Sequence, residues 1–223
     1  MEQNFNPGMT DGRTYSLNDM VRAGCGGCEG CFACCQGMGG IILTPGDIYR
    51  LTAHLGCSFE MLMADKIKLQ MEDGLILPSL QTVGETEACV FLDENGRCSI
   101  HSVRPGVCRL FPLGRSYEED RIRYILLVNG CVKRDRTKVK VHKWIDTPDI
   151  EKEEAFLIKW HNFRKVAREA VGTGEPDKAK AVNMYILKLF YLTPYDVTQD
   201  FYWQFDIRLA QAYAEFPLTK LQG

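Results

Sequence analysis

The sequence predicts an α+β fold: a loop-rich cysteine domain with short strands and a β-hairpin, followed by a mainly helical C-terminal cap. Three observations predict it. All ten cysteines lie at or before Cys131, among glycines and short apolar runs. Residues 89–100 place an Asp-Glu-Asn-Gly turn between two short runs, as a hairpin does. From residue 147 onward there is no cysteine, and apolar residues recur at helical spacing. These divide the chain into a flexible N-terminal arm (1–22), a cysteine-rich metal-binding domain (23–135) and a helical cap packed on it (136–223).

Composition narrows the class. A chain of 223 residues with 45% hydrophobic content and a net charge of −2 can bury a sizeable core and has no global bias toward nucleic acid. No apolar run approaches the roughly 18 residues that a bilayer span requires, so no membrane partner is expected. Residues 1–20 are polar and carry no apolar signal-peptide core, which makes the cytoplasm the expected compartment. In a reducing compartment ten cysteines favour metal ligation over a disulfide framework.

Taken in order, residues 1–22 show Asn, Pro, Gly and Thr without periodicity and read as a loose arm. Thr44, Pro45 and Asp47 form a helix start, with Ile48, Leu51 and Leu55 on one face and Gly56 as the stop. Ser58 caps a second short helix reaching about Ile67. Cys57, between the two, reads as a small buried apolar residue rather than a ligand. Residues 75–80 form a short strand, confined to an edge by Pro78. In the 89–100 hairpin the expected register sets Cys98 opposite Phe91, so that Cys89 and Cys98 share a face. Pro105 opens one helical turn, and residues 122–129 form a strand leading to Cys131. Three helices follow. The first carries Phe156, Trp160, Phe163, Ala167 and Ala170 in one stripe after Thr147-Pro148-Asp149. The second, residues 176–192, is apolar nearly all round. The third, about 198–216, aligns Phe201, Phe205, Leu209, Ala212 and Phe216.

The chemistry concentrates in residues 24–40, where Cys25, Cys28, Cys31, Cys34 and Cys35 fall within eleven residues among seven glycines. Cysteines three apart can turn their sulfurs to a common centre where glycine lets the backbone wrap tightly. Cys25, Cys28, Cys31 and Cys35 also fit the ferredoxin spacing C-x2-C-x2-C-x3-C, though Gln36 stands where ferredoxins have proline. Zinc sites pair two-residue-spaced knuckles, and Cys98-x2-His101 could supply one. The ligand spacing favours an iron–sulfur cluster over zinc, and zinc remains the alternative.

The full pattern is Cys28-x2-Cys31-x2-Cys34-Cys35, then Cys89-x8-Cys98-x9-Cys108, then Cys131, with His101-x2-Arg104-Pro105-x2-Cys108-Arg109-x-Phe111-Pro112. It resembles the CxxCxxCC family of zinc- or iron-chelating, Fe–S-cluster-containing proteins, a broad group that includes the flagellin lysine N-methylase. By that resemblance the metal ligands are Cys28, Cys31, Cys34, Cys35, Cys89, Cys98, Cys108 and Cys131, enough for one or two [4Fe-4S] clusters. Cys25 is then a reserve ligand. His101, Arg104 and Arg109 are read as groups that surround the cofactor, the two arginines offsetting thiolate charge.

Three functions follow from these readings: an iron–sulfur protein of electron transfer or redox sensing, a zinc-stabilised interaction module, or a protein-modifying enzyme related to the methylase. No C-x3-C-x2-C triplet is present, since Met38 occupies the third position, and no phosphate loop or G-x-G-x-x-G follows a strand. The basic run at 133–143 reads first as a solvated face and second as a docking patch for an acidic redox or protein partner. The apolar helices leave a homodimer open.

Overall fold

The structure is a computed structural model and describes residues 7–25, 31–37, 39–133, 135–172 and 175–215. In chain order the strands and helices are β1 (Thr10–Tyr15), β2 (Met20–Gly24), α1 (Pro45–Leu55), α2 (Phe59–Asp65), β3 (Ile67–Glu72), β4 (Leu75–Leu80), β5 (Thr82–Val83) and β6 (Ala88–Cys89). There follow α3 (Gly106–Leu110), β7 (Leu113–Glu118), β8 (Arg121–Leu127), β9 (Thr137–Lys140), α4 (Val141–Ile145), α5 (Ile150–Val171), α6 (Pro176–Leu187) and α7 (Phe201–Glu215). Short antiparallel pairings and a helical C-terminal region make the fold α+β, as expected. Two compact units emerge: Met1–Ile41 with Thr82–Ile158, and Ile42–Gln81 with Lys159–Gly223. Residues 42–81, taken in the sequence with the cysteine region, thus share a unit with the C-terminal helices.

The first unit is built around β8, the apolar run at 122–127. Ile122, Tyr124, Ile125 and Leu126 are buried, and β8 pairs antiparallel with β7 on one side and β1 on the other. Residues 10–15 and 20–22, read as part of a loose arm, instead lie in strands β1 and β2. β1 has little apolar alternation of its own and forms because β8 offers it a second edge, from Thr10↔Leu127 to Tyr15↔Tyr124, with a bulge between Thr10 and Thr14. β2 pairs with β9 and buries Val21 and Ala23. The β9 part of the basic run leaves Lys138 and Lys140 exposed. Tyr124 donates its hydroxyl to Glu154 Oε1 at 2.6 Å, which ties the sheet to the first turns of α5. Burial pushes that phenol up, and the Glu154 partner adds to the shift.

In the second unit the capping box is formed as expected. Asp47 donates its N–H to Thr44 Oγ1, Thr44 N–H donates to Asp47 Oδ2 at 2.9 Å, and Gly56 closes α1 at φ 62°. Ser58 caps α2, but α2 ends at Asp65 and the chain turns into a strand. The resulting β3–β4 hairpin turns on Asp73 (φ 50°) and Gly74 (φ 81°). An Asp-Gly pair between alternating residues is the signal that marks such a turn, and the sequence carries it at 73–74. Cys57 is part-exposed rather than buried. Phe163, Phe190 and Phe205 are fully buried beside Trp160 and Tyr191. The second helix is not apolar all round. Met184 is 54% exposed, and the chain changes from α6 to a π-helical segment at Lys188–Leu192. Phe216 lies outside the described residues.

One buried amide ties hairpin to helix. Asn183, 4% exposed, accepts the Ile76 N–H at 2.7 Å and donates to the carbonyls of Gly74 and Ala179. Replacing it with Leu leaves those backbone groups to desolvate without a partner, at a cost of about 1–3 kcal/mol. Asn183→Leu should therefore lower the urea midpoint of the full chain clearly. An unchanged midpoint would mean that the hairpin is held by its apolar face alone.

Candidate metal centre

Each cysteine reaches the centre on a different local device. Cys34 and Cys35 lie in a single 3-10 turn, Ala33–Cys35, closed by the Cys35 N–H donating to the Phe32 carbonyl. Gly37 follows at φ 65° and donates its N–H to the Thr86 carbonyl, which hangs the loop on the strand pair β5–β6. Cys89 ends β6 opposite Thr82. Cys108 sits in the middle of α3.

The hairpin turn forms where the sequence places it, with Gly96 donating to the Asp93 carbonyl and Asp93 Oδ1 accepting from Asn95 and Arg97. Its register differs from expectation. Cys98 faces Leu92, not Phe91, because Ser99 rather than Cys98 bonds back to the Phe91 carbonyl. The two-residue alternation that would set Cys89 and Cys98 on one ribbon face therefore does not apply. What brings them together is the tight turn.

Two glycines let neighbouring loops close on aromatic rings. Phe32 lies directly over Gly96, where a Cβ would run into the ring, and Gly96 holds φ 68° besides. At Gly130 a Cβ would stand 3.1 Å from Leu127 Cβ and 3.2 Å from the Phe111 ring, so the approach to Cys131 packs beside the segment that follows Cys108.

The sulfurs of Cys34, Cys35, Cys89, Cys98 and Cys108 are close enough to feel one another. Cys35 donates its S–H to the Cys34 sulfur. That bond, with the Cys34 backbone N–H and the Arg104 guanidinium, brings the Cys34 thiol down to about 6 against the opposing effect of burial. Cys35, as donor, is pushed up, further so by burial and by the charges of Cys34, Cys89 and Cys108. Burial also pushes up Cys89 and Cys98, while a backbone N–H two residues on, from Phe91 and Ile100, bonds each sulfur. Cys34 and Cys89 act on Cys98 as well.

The other sequence-predicted positions fall as follows. Cys31 and Cys131 are part-exposed, and no disulfide forms among the described cysteines. Cys28 lies outside the described residues. Among the described residues no three Cys, His, Asp or Glu side chains already stand as a coordination sphere.

The two arginines divide the work assigned to them. Arg104 lowers both Cys34 and Cys98 by its charge, and its Nε–H is buried without a partner among the described residues. Arg109 is a clamp. Nε donates to the Arg104 carbonyl at 3.2 Å, Nη1 to the Asp146 carbonyl at 2.9 Å, and Nη2 to the Ser102 carbonyl. His101 takes Arg104 Nη1 on its Nε2, and burial, Arg104 and Arg109 hold the imidazole pKa below its ordinary value. The described thiols whose charges act on one another are Cys34, Cys35, Cys89, Cys98 and Cys108, and Arg104 acts on two of them. Such a set fits a thiophilic metal or a cluster, whose thiolates need backbone N–H bonds and a nearby positive charge.

Residues 27–142, more than half of the 223, match the model of the CxxCxxCC family, described as "Putative zinc- or iron-chelating domain". No solved structure matches this chain.

The S–H···S hydrogen bond is testable on reduced, metal-free protein. Near pH 7 Cys34 should alkylate faster than Cys57, whose thiol burial pushes up. The rate at Cys34 should fall as the pH drops through about 6, because its thiolate is then protonated. Cys35→Ala should remove the donor and slow Cys34. Equal rates at Cys34 and Cys57, or no effect of Cys35→Ala, would contradict the arrangement.

Proposed function

This chain belongs to the CxxCxxCC family, and we propose that its converging thiolates hold an iron–sulfur cluster that serves electron transfer or redox sensing. What supports the reading is that Cys34, Cys35, Cys89, Cys98 and Cys108 lie near enough for their charges to act on one another, with Arg104 acting on Cys34 and Cys98 and backbone N–H groups on three of the sulfurs. Hydrogen bonds to sulfur and nearby charge set a cluster's potential. Cys28, Cys31 and Cys131 complete the proposed ligand set, and the three-residue spacing of Cys28, Cys31 and Cys34 is a cluster's spacing more than a zinc knuckle's.

When bound, the group would supply one-electron chemistry; the protein supplies the rest. Backbone N–H groups of Phe91 and Ile100 stabilise thiolate at Cys89 and Cys98. Arg104 stabilises negative charge at Cys34 and Cys98. A Cys98–His101 zinc knuckle finds less support, because His101 Nε2 is turned to Arg104.

Protein purified without oxygen should be brown and contain iron and acid-labile sulfide in comparable amounts. Colourless protein with stoichiometric zinc and no sulfide would exclude the cluster and leave a zinc site on the same thiols. Cys34→Ser and Cys108→Ser should each lose metal and lower stability, since metal binding and folding are coupled in such sites. Cys57→Ser should keep the metal. Loss of metal in Cys25→Ser but not in Cys34→Ser would support the ferredoxin-type frame instead.

A further inference from the structure

The pairing of β2 with β9 builds a cationic face from two distant parts of the chain. Met20 stands directly opposite Lys140, and Val21 opposite Val139, so each pair shares one face of the ribbon. Val21 and Ala23 are buried on one side, while Met20, Arg22, Lys138 and Lys140 are exposed on the other. One extra residue in β2 between Val21 and Gly24 bulges the strand without turning Arg22 inward. Arg22, more than a hundred residues from Lys138 in sequence, thereby joins two lysines of the 133–143 run.

This charge is not offset on the ribbon itself. Among the described residues no carboxylate pairs with Arg22, Lys138 or Lys140, and β2, β9 and α4 contain no acidic residue. Asp19, just before β2, holds the Ser16 N–H on its Oδ2 at 2.7 Å. Asp135 is the one carboxylate in 133–143, against six cations. Lys138 and Lys140, two residues apart on one strand, stand about 7 Å apart. Like charges at that spacing repel, and a partner's carboxylates would relieve the repulsion. Met20, 50% exposed, lies between these cations. An apolar centre with a polar rim is the pattern of a protein interface. Single strands of nucleic acid stack on aromatic rings, and the face has none. At its other end the ribbon adjoins the cysteine region: β2 runs directly into Cys25, and a Cβ at Gly24 would run into Thr137 Oγ1.

We propose that the face formed by Met20, Arg22, Lys138 and Lys140 is a docking surface for an acidic protein. Complementary charge steers the encounter and sets the register, and Met20 supplies the apolar contact. The surface uses the ribbon's own residues and no metal, so it goes beyond the metal reading. Arg22 is the residue that separates a folded surface from a charged stretch of chain. On a formed ribbon it counts as much as Lys138. If the 133–143 run acted alone, Arg22 would not matter.

The test titrates full-length, anaerobically purified protein against a fluorescent peptide of glutamates flanking one leucine, with oligouridine and phosphatidylserine vesicles as separate probes. Metal content and thermal midpoint are measured for every variant. The peptide should bind saturably, and added NaCl should weaken it. Arg22→Glu, Lys138→Glu and Lys140→Glu should each weaken it roughly three- to tenfold. Their thermal midpoints should hold or rise, since each removes a like charge from the face. Lys178→Glu, at an exposed position of α6, should leave binding unchanged. No saturable binding of the peptide to the wild type would overturn the surface. So would an Arg22→Glu affinity equal to wild type, or an equal loss in Lys178→Glu, because overall charge would then account for the binding. Tighter binding of oligouridine or vesicles than of the peptide would also overturn it, in favour of a nucleic acid or a membrane. Aggregation of the variants without peptide binding by the wild type would make the cations guards of an exposed strand edge instead. A failed metal reading would appear separately, in the metal content.

Discussion

Crowding thiols into a half-buried space is the constraint around which the first unit is arranged. Each sulfur that ionises there loses hydration and repels its neighbours, so the negative charge must be met by fixed positive partners. The chain meets it with a shared S–H bond between Cys34 and Cys35, backbone N–H groups at Cys34, Cys89 and Cys98, and the guanidinium of Arg104. The loops around the centre are shaped by that need. Phe32 lies on Gly96 at a separation that a Cβ would prevent, and Phe111 stands close against Gly130.

Arg109 shows how a small, loop-rich unit keeps such an arrangement rigid. With little regular structure around the centre, the 101–104 turn and residue 146 are joined by one guanidinium bonded to three carbonyls. Trp144 adds a further tie, its Nε1–H lying 3.2 Å from the carbonyls of Leu110 and Phe111 at the end of α3. Side-chain donors to backbone carbonyls here do what ladder bonds do in a sheet. They join loop segments that have no ladder of their own.

The parts of the fold legible in the sequence are those fixed by local chemistry. Thr44, Pro45, Asp47 and Gly56 define α1 because caps and stops depend on neighbours a few residues away. The stripe of α5 is legible for the same reason: Phe156, Trp160, Phe163 and Ala167 all turn inward. What escaped depends on distant pairing. β1 is a strand because β8 has an unpaired edge more than a hundred residues on, which no local pattern in Thr10–Tyr15 announces. The register at Cys98 shifted by one residue, and in a strand one residue moves a side chain to the opposite face. The site divides the same way. The cysteine spacing marked the ligand candidates, whereas Arg109 as a clamp on Asp146 arises only when residues 37 apart in sequence meet.

We propose that these cysteines form an all-sulfur centre built on iron. X-ray absorption at the metal edge of protein purified without oxygen tests it most directly, because it reads the donor atoms themselves. A nearest shell of sulfur alone at iron, with a metal–metal vector beyond it, is the predicted result. A shell containing nitrogen or oxygen from protein, or zinc as the sole bound metal, would contradict it.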